Sequence, residues 1–184
     1  MLDLLETFIR RKPTSAHILR LVLPLVELVV STGSDEKQLS DKATGILRSR
    51  IGKLKEVPEN VDAEQAGAIL HELHLRARKA VSGDVVATLS QCSLYTARCL
   101  GHAQSEDTVC EAYRASLVDF ATRKASRLNA NFVQDFVRRH PDMAWGIRNE
   151  LLDVVTKSVN GYRQVQVFQL MQTLISQLAT AVRT

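Results

Sequence analysis

Hydrophobic positions recur with a spacing close to 3.6 residues along almost the whole chain, and convincing alternation of apolar and polar residues is absent. This spacing places the apolar side chains on one face of a helix, whereas a half-buried strand would alternate every second residue. The pattern therefore predicts an all-α protein.

Proline, glycine and capping residues divide this pattern into about nine helices. The first two are expected over Leu2–Arg11 and Ala16–Ser31, separated by Pro13. Asp62, Ser82-Gly83-Asp84 and Asn129 or Asn131 mark later starts, and the turn Thr32-Gly33-Ser34 separates the second helix from the third. Pro141 suits the first turn of the eighth helix, which is expected to run to about Val159. The last helix follows Asn160-Gly161 and is expected to bury Phe168, Leu174 and Ile175.

Short loops between amphipathic helices make sequence neighbours antiparallel by default, and helix pairs recur every 35–45 residues, the range of HEAT-like units. The pattern favours a HEAT/armadillo-like α-solenoid segment, with an irregular closed helical bundle as the alternative. The length of 184 residues fits one helical-repeat domain over residues 1–184, expected to be a fragment of a longer protein.

Composition narrows the class further. Hydrophobic residues make up 45% and charged residues 24%, which excludes a disordered tail, a collagen-like repeat and a coiled-coil rod. The most hydrophobic stretch, Ile18–Val30, is interrupted by Arg20, Pro24 and Glu27, so no membrane contact is expected. No signal peptide is expected, and three cysteines, an odd number, indicate a reduced, intracellular protein.

Histidine and cysteine spacings do not favour a metal site. His71 and His74 are three residues apart, whereas two zinc ligands on one helix are usually four apart, so both are interpreted as surface histidines. Cys92 and Cys99 share an apolar stripe and are expected to be buried thiols. We expect no catalytic residue, no cofactor and no bound metal.

Basic residues cluster at the ends of several helices, and the net charge is +4. The helix dipole favours such placement, while the alternative is a ridge that contacts phosphates. The window from Arg123 to His140 holds five Lys/Arg and one acid, Asp135, and the aromatic residues lie on the core stripe. Contact with the backbone of structured RNA is therefore the expected form of binding. The candidate nucleic-acid-binding residues are Arg123, Lys124, Arg127, Arg138, Arg139, Arg76, Arg78 and Lys79.

Two stretches resemble the later part of the DNA polymerase phi / Myb-binding protein family. Leu2–Pro13, followed by Leu21–Val29, is similar to the family's LDL-E-(basic)-P helix and Leu-rich LxPLL-like core. Asn131–Pro141 is similar to its F-x-x-x-F-x-x-(K/R)-H-P element. The resemblance covers most of the chain, and its motifs are structural.

The resemblance implies a nucleolar or nuclear protein, since family members are long helical-repeat proteins of ribosomal RNA transcription and large-subunit assembly. A non-enzymatic scaffold segment is expected, with no membrane contact. Its expected partners are pre-ribosomal RNA or ribosomal DNA, ribosome assembly and transcription proteins, and the rest of its own parent chain. The rival is a pure protein-protein interaction module in transcriptional regulation.

The polymerase in the family name implies nucleotidyl transfer, which needs carboxylates that converge on two divalent metals about 4 Å apart. The sequence has no Asp-x-Asp and no glycine-rich phosphate loop. We therefore expect that the chain is not an enzyme.

Overall fold

The computed structural model describes residues 1–31 and 36–182, and every regular element in these ranges is helical. The α-helices are α1 Leu2–Arg11, α2 His17–Ser31, α3 Lys37–Gly45, α4 Ala63–Lys79, α5 Gly83–His102, α6 Glu106–Thr122, α7 Ala130–Arg139, α8 Pro141–Ala144, α9 Arg148–Lys157 and α10 Gly161–Val182. The expected all-α, solenoid-like fold is confirmed. The turn expected at Thr32-Gly33-Ser34 lies outside the described residues.

Two predicted helices are interrupted. α3 runs on through a π-helical turn, Ile46–Arg50, and a 3-10 turn, Ile51–Lys53. The predicted eighth helix is divided by the 3-10 turn Trp145–Ile147. Gly146 packs closely there, because an added Cβ would lie 2.5 Å from the Sγ of Cys110.

The predicted capping residues act as caps. Asp62 accepts a hydrogen bond from the amide of Gln65 (3.1 Å), and Ser82 accepts one from the amide of Val85 (3.3 Å). Asn129 caps α7 in the same way, and Pro141 occupies the first turn of α8. These side chains satisfy amides that the first helical turn leaves without partners, which is why the starts were readable from sequence.

Helix α5 lies at the centre of the core and is buried on nearly every side. Cys92 and Cys99 are fully buried on α5, as predicted. Burial raises the pKa of the Cys92 thiol to about 12 and that of Cys99 to about 11. Both thiols are therefore protonated at neutral pH and unreactive.

The helices around α5 are aligned so that several of their ends meet. Gly67 of α4 faces the Cγ2 of Thr108 of α6, and seven residues further on His74 bonds Ser116. Residue numbers increase along both helices from the first contact to the second, so α4 and α6 run in the same direction. A short loop joins α5 to α6, and α5 runs antiparallel to α6. α7 packs alongside α5 and runs in the same direction as α5. The carboxyl ends of α4 and α6 therefore lie beside the amino ends of α5 and α7.

His74 is fully buried, so the interpretation of this residue as a surface histidine was wrong; His71 is exposed. The Nδ1 of His74 lies 2.8 Å from the Oγ of Ser116, and its ring meets Tyr113 and Phe132 edge-on. Tyr113 stacks on Phe136 with 3.8 Å between ring centroids. This aromatic cluster joins α4, α6 and α7.

The burial of His74 makes stability sensitive to mild acid. Burial, with a smaller effect from the charge of Arg78, lowers the pKa of His74 from 6.5 to about 3. Below pH 6.5 the unfolded chain protonates this histidine and the folded chain does not, so its stabilising contribution is present above pH 6.5 and is lost toward pH 3. We expect the free energy of unfolding to fall by about 2 kcal/mol from His74 between pH 7 and pH 5.

Urea denaturation followed by circular dichroism at pH 7, 6 and 5 measures this loss. His74→Gln should have a shallower pH dependence by that amount. His140 is partly buried, and this burial lowers its pKa to about 4, so His140→Gln is the matched comparison. An unchanged slope in His74→Gln would contradict the assignment.

Two glycines near the π-helical turn lie in opposite environments, so we expect opposite effects on stability when each is replaced by alanine. A Cβ at Gly52 would lie 2.8 Å from the Cβ of Gln91 on α5 and 3.1 Å from the carbonyl oxygen of Leu47, whereas a Cβ at Gly45 would meet open space. Gly52→Ala should therefore destabilise the fold by about 1–3 kcal/mol through overpacking. Gly45→Ala should stabilise it by about 0.5–1 kcal/mol, because alanine loses less entropy in a helix. Thermal and urea unfolding of both variants compare the two effects, and a neutral Gly52→Ala would refute the close approach.

Candidate interaction surfaces

Five of the eight candidate cations form one group at an end of the molecule where acidic side chains are few. We name this group the basic end: Arg78, Lys79, Arg123, Lys124 and Arg127. The first two close α4 and the other three follow α6, and the parallel packing of α4 and α6 brings these segments to the same end. Arg78 is partly buried and the other four are exposed.

The ion pairs at the basic end leave most of its charge available. Arg123 pairs with Asp119 at 3.3 Å, and Asp119 also accepts a hydrogen bond from Ser126. Within residues 1–31 and 36–182, Lys79, Lys124 and Arg127 form no ion pair. Their side chains are therefore free to meet an anion.

Sequence reasoning missed one cation at this end, Arg163 of α10. Its guanidinium lies over the ring of Phe120, 4.5 Å from the centroid, and donates to the carbonyl oxygen of Phe120. The amide of Val159 also donates to Ala121 at 2.9 Å, so α10 begins beside the end of α6. No local signal in the sequence links positions 120 and 163.

The remaining three candidate cations are left out of the basic end for two different reasons. Arg76 lies in the last turn of α4, but it is paired with Glu27 (2.6 Å) and Glu72 (2.7 Å), and the hydrogen bond that it donates to Glu72 is the main reason that its pKa is raised. Arg138 and Arg139 close α7, whose amino end lies at the basic end. Ten helical residues span about 15 Å, so these two cations lie away from the basic end along the axis.

The helix dipole accounts for part of this arrangement. The Nε of Arg78 donates to the carbonyl oxygen of His74 at 3.3 Å, within the last turn of α4. Such contacts stabilise a helix end by about 0.3–1 kcal/mol without any ligand. Lys124 and Arg127 follow α6 in the loop, beyond the last turn, and the dipole explains them less well.

A second surface lies on α10. Its inner side is buried through Val167, Leu170 and Leu174, whereas Val165, Phe168 and Ile175 are 55%, 52% and 59% exposed. We name these last three residues the α10 outer face. The sequence from 164 to 182 contains no Asp, Glu, Lys or Arg, so this face is apolar and uncharged.

The prediction that Phe168 and Ile175 are buried was therefore wrong, while Leu174 is buried as expected. The apolar residues of α10 cover a broad arc of the helix, and periodicity alone does not say which half of such an arc the rest of the fold covers. An uncovered apolar half is typical of a protein contact surface.

The described residues contain no group of three or more His, Cys, Asp or Glu side chains arranged to hold a metal ion. None of the helices in those residues has the length and apolar character needed to cross a membrane.

Comparison with known families decides the identity of the fold. The model for Myb-binding protein 1A-like proteins, TPR repeats, matches residues 12–181. The chain belongs to this family. TPR repeats are stacked helix pairs, as are the HEAT repeats that the sequence favoured, and α4–α7 pack as such antiparallel neighbours. The match does not name DNA polymerase phi. No curated protein and no solved structure matches the chain.

Proposed function

We propose that the chain is a non-enzymatic scaffold segment of a nucleolar protein that acts in ribosomal RNA transcription and large-subunit ribosome biogenesis. Membership of the Myb-binding protein 1A-like repeat family supports a scaffold role, because stacked helix pairs present extended surfaces to partners. In this proposal, the basic end contacts pre-ribosomal RNA or ribosomal DNA. Assembly and transcription proteins, or the rest of the parent chain, occupy the apolar surface.

The basic end carries the nucleic-acid part of the proposal. Arg123, Lys124 and Arg127 lie within five consecutive positions, and Arg78 and Lys79 approach from α4. Exposed cations this close together meet neighbouring phosphates and release their counterions, which favours contact with a nucleic-acid backbone. The aromatic residues Phe132 and Phe136 are buried and offer no platform on which bases stack, so the contact favours structured RNA or a duplex.

Charge reversal tests this contact. We expect Arg123→Glu, Lys124→Glu, Arg127→Glu to weaken binding to a fluorescent RNA hairpin by about tenfold or more, and to flatten its salt dependence by about one unit of slope per lost phosphate contact. Fluorescence anisotropy across a salt series measures both effects, with a DNA duplex of equal length in parallel.

The matched control is Arg10→Glu, Arg11→Glu, Lys12→Glu, which changes the net charge equally at three exposed residues outside the basic end. Circular dichroism checks that both variants fold. If the two variants lose equal affinity, the contact is a net-charge effect, and if wild type does not bind, direct nucleic-acid contact is refuted.

The α10 outer face supports the second candidate, a protein-protein interaction module in transcriptional regulation without nucleic-acid contact. Val165, Phe168 and Ile175 expose more than half of their side chains on a helix that carries no charge from 164 onward. An apolar face of this kind fits the apolar side of another helix, because neither partner has to desolvate a charge.

Polar substitution separates this role from folding. Val165→Gln, Phe168→Gln, Ile175→Gln should change the free energy of unfolding by about 0.5 kcal/mol or less per substitution, since more than half of each side chain is already exposed. The same variant should no longer bind proteins that co-purify with the tagged wild-type chain from nuclear extract.

The control variant is Gln169→Ala, Ser176→Ala, at exposed polar positions of α10. Quantitative mass spectrometry compares the three preparations. A partner lost only with the outer-face variant supports the protein module, whereas identical partners in all three samples would contradict it. Large destabilisation would show instead that the outer face belongs to the core.

A further inference from the structure

A polar groove crosses the central helix α5 and shares no residue with either surface described above. It consists of two adjoining cavities of about 600 and 140 Å³ that share Ala87 and Gln91 of α5 as a common floor. Arg48, Ser49 and Lys53 line one side, and Asn129 and Asn131 line the other. We name this feature the α5 groove.

The π-helical turn builds the first side of the groove. Ile46–Arg50 is wound more widely than the α-helix before it, with Leu47 buried and Arg48 and Ser49 exposed. Short π-helical turns are rare and occur frequently at functional sites. The following segment is pressed against α5 at Gly52, where an added Cβ would lie 2.8 Å from that of Gln91. The backbone on this side is therefore held in place.

Two cations of this side lack an acidic partner. Arg50, beside the groove, pairs with Glu6 at 2.7 Å. Arg48 and Lys53, which line the groove, form no ion pair in the part of the chain that the structure describes. An incoming carboxylate would supply the partner that the fold does not.

The opposite side offers amides and an unpartnered hydroxyl. Ser90 is 3% exposed and lines the smaller cavity, and its Oγ has no hydrogen-bond partner among the described residues. Gln91, Asn129 and Asn131 each carry a donor and an acceptor, the combination that pairs with both the N–H and the C=O of an extended peptide backbone. Of the oxygens of these three amides, the Oδ1 of Asn129 is in use within residues 1–31 and 36–182, because it caps α7.

We propose that the α5 groove binds an extended peptide segment that carries an acidic side chain. The carboxylate lies between Arg48 and Lys53, and the peptide backbone follows Gln91 and Asn131 across α5. The groove favours a peptide over a nucleic acid, because Asp41 and Asp135 also line it and would repel a run of phosphates.

This inference rests on the proposed scaffold function, for which it names one class of protein partner. The groove shares no residue with the basic end or the α10 outer face. Variants of the three surfaces can therefore fail independently, and a failure of peptide binding is distinguishable from a failure of the scaffold role.

The test follows the ¹H–¹⁵N spectrum of the full chain during titration with an acetylated serine nonapeptide that carries one central Glu (the Ser-Glu peptide), its counterparts with one central Gln or Lys (the Ser-Gln and Ser-Lys peptides), and a nine-nucleotide uridine RNA. We expect the acidic peptide to shift the side-chain amide signals of Gln91, Asn129 and Asn131. The Ser-Gln peptide should bind about tenfold more weakly, since it lacks the charge-assisted contacts.

Two groove variants and one control decide the location. Arg48→Glu, Lys53→Glu should reduce affinity for the acidic peptide by about tenfold or more, and Ala87→Gln should obstruct the groove without a change of charge. Asn131→Ala is the milder substitute if Ala87→Gln disturbs the spectrum elsewhere. Arg10→Glu, Lys12→Glu gives the same charge change outside the groove and should bind as wild type.

Loss in the groove variants with retention in the control supports the proposal. Three results would overturn it: no shift at the groove amides, equal loss in the control, or uridine RNA that shifts the same amides as strongly as the peptide does. The last result would assign the groove to nucleic acid.

Discussion

The burial of α5 is the constraint on which the other features depend. A helix covered on almost every side must be packed by neighbours in several directions, and α4, α6 and α7 supply three of them. Polar groups on α5 then need internal partners, as in the bond from the Oγ1 of Thr96 to the carbonyl oxygen of Cys92 (2.9 Å). Among the residues that the structure describes, the Oγ atoms of Ser90 and Ser93 lack such a partner, and Ser90 borders the α5 groove. The same burial that fixes the core thus leaves a polar atom where a ligand would satisfy it.

The directions of the helices bring cations from separate helix ends together into one surface. Cations at the ends of α4 and α6 each complement a dipole, a local effect that operates without reference to the other helix. Because His74 and Ser116 hold these helices parallel, the two cationic ends become one basic end, and Arg163 joins it from α10. The helix dipole and contact with phosphates are therefore compatible explanations for the cations at the helix ends. Lys124 and Arg127 lie in the loop beyond the last turn, where the dipole explains them less well, so these two residues distinguish the explanations.

The sequence predicted what local chemistry determines. Asp62, Ser82 and Asn129 start helices through hydrogen bonds within three residues, so their effect is visible in a short window. Features that depend on distant contacts were missed. His74 is buried because Tyr113 and Phe132 enclose it, and neither residue is near it in sequence. The π-helical turn and the ion pair of Arg76 with Glu27 depend likewise on contacts with other helices, so the list of eight candidate cations could not show which of them are paired.

The three surfaces differ in the chemistry that each would accept, and this difference bears on the scaffold role. The basic end presents cations to a polyanion, the α10 outer face presents uncharged apolar groups, and the α5 groove combines amides with two cations and two acids. The basic end and the α10 outer face select different ligands, because phosphates gain nothing from Phe168 and an apolar helix would leave the charge of Lys124 desolvated and unpaired. A rigid helical segment with surfaces of different selectivity holds different partners at fixed positions. That is the physical content of a scaffold, and it requires no catalytic group.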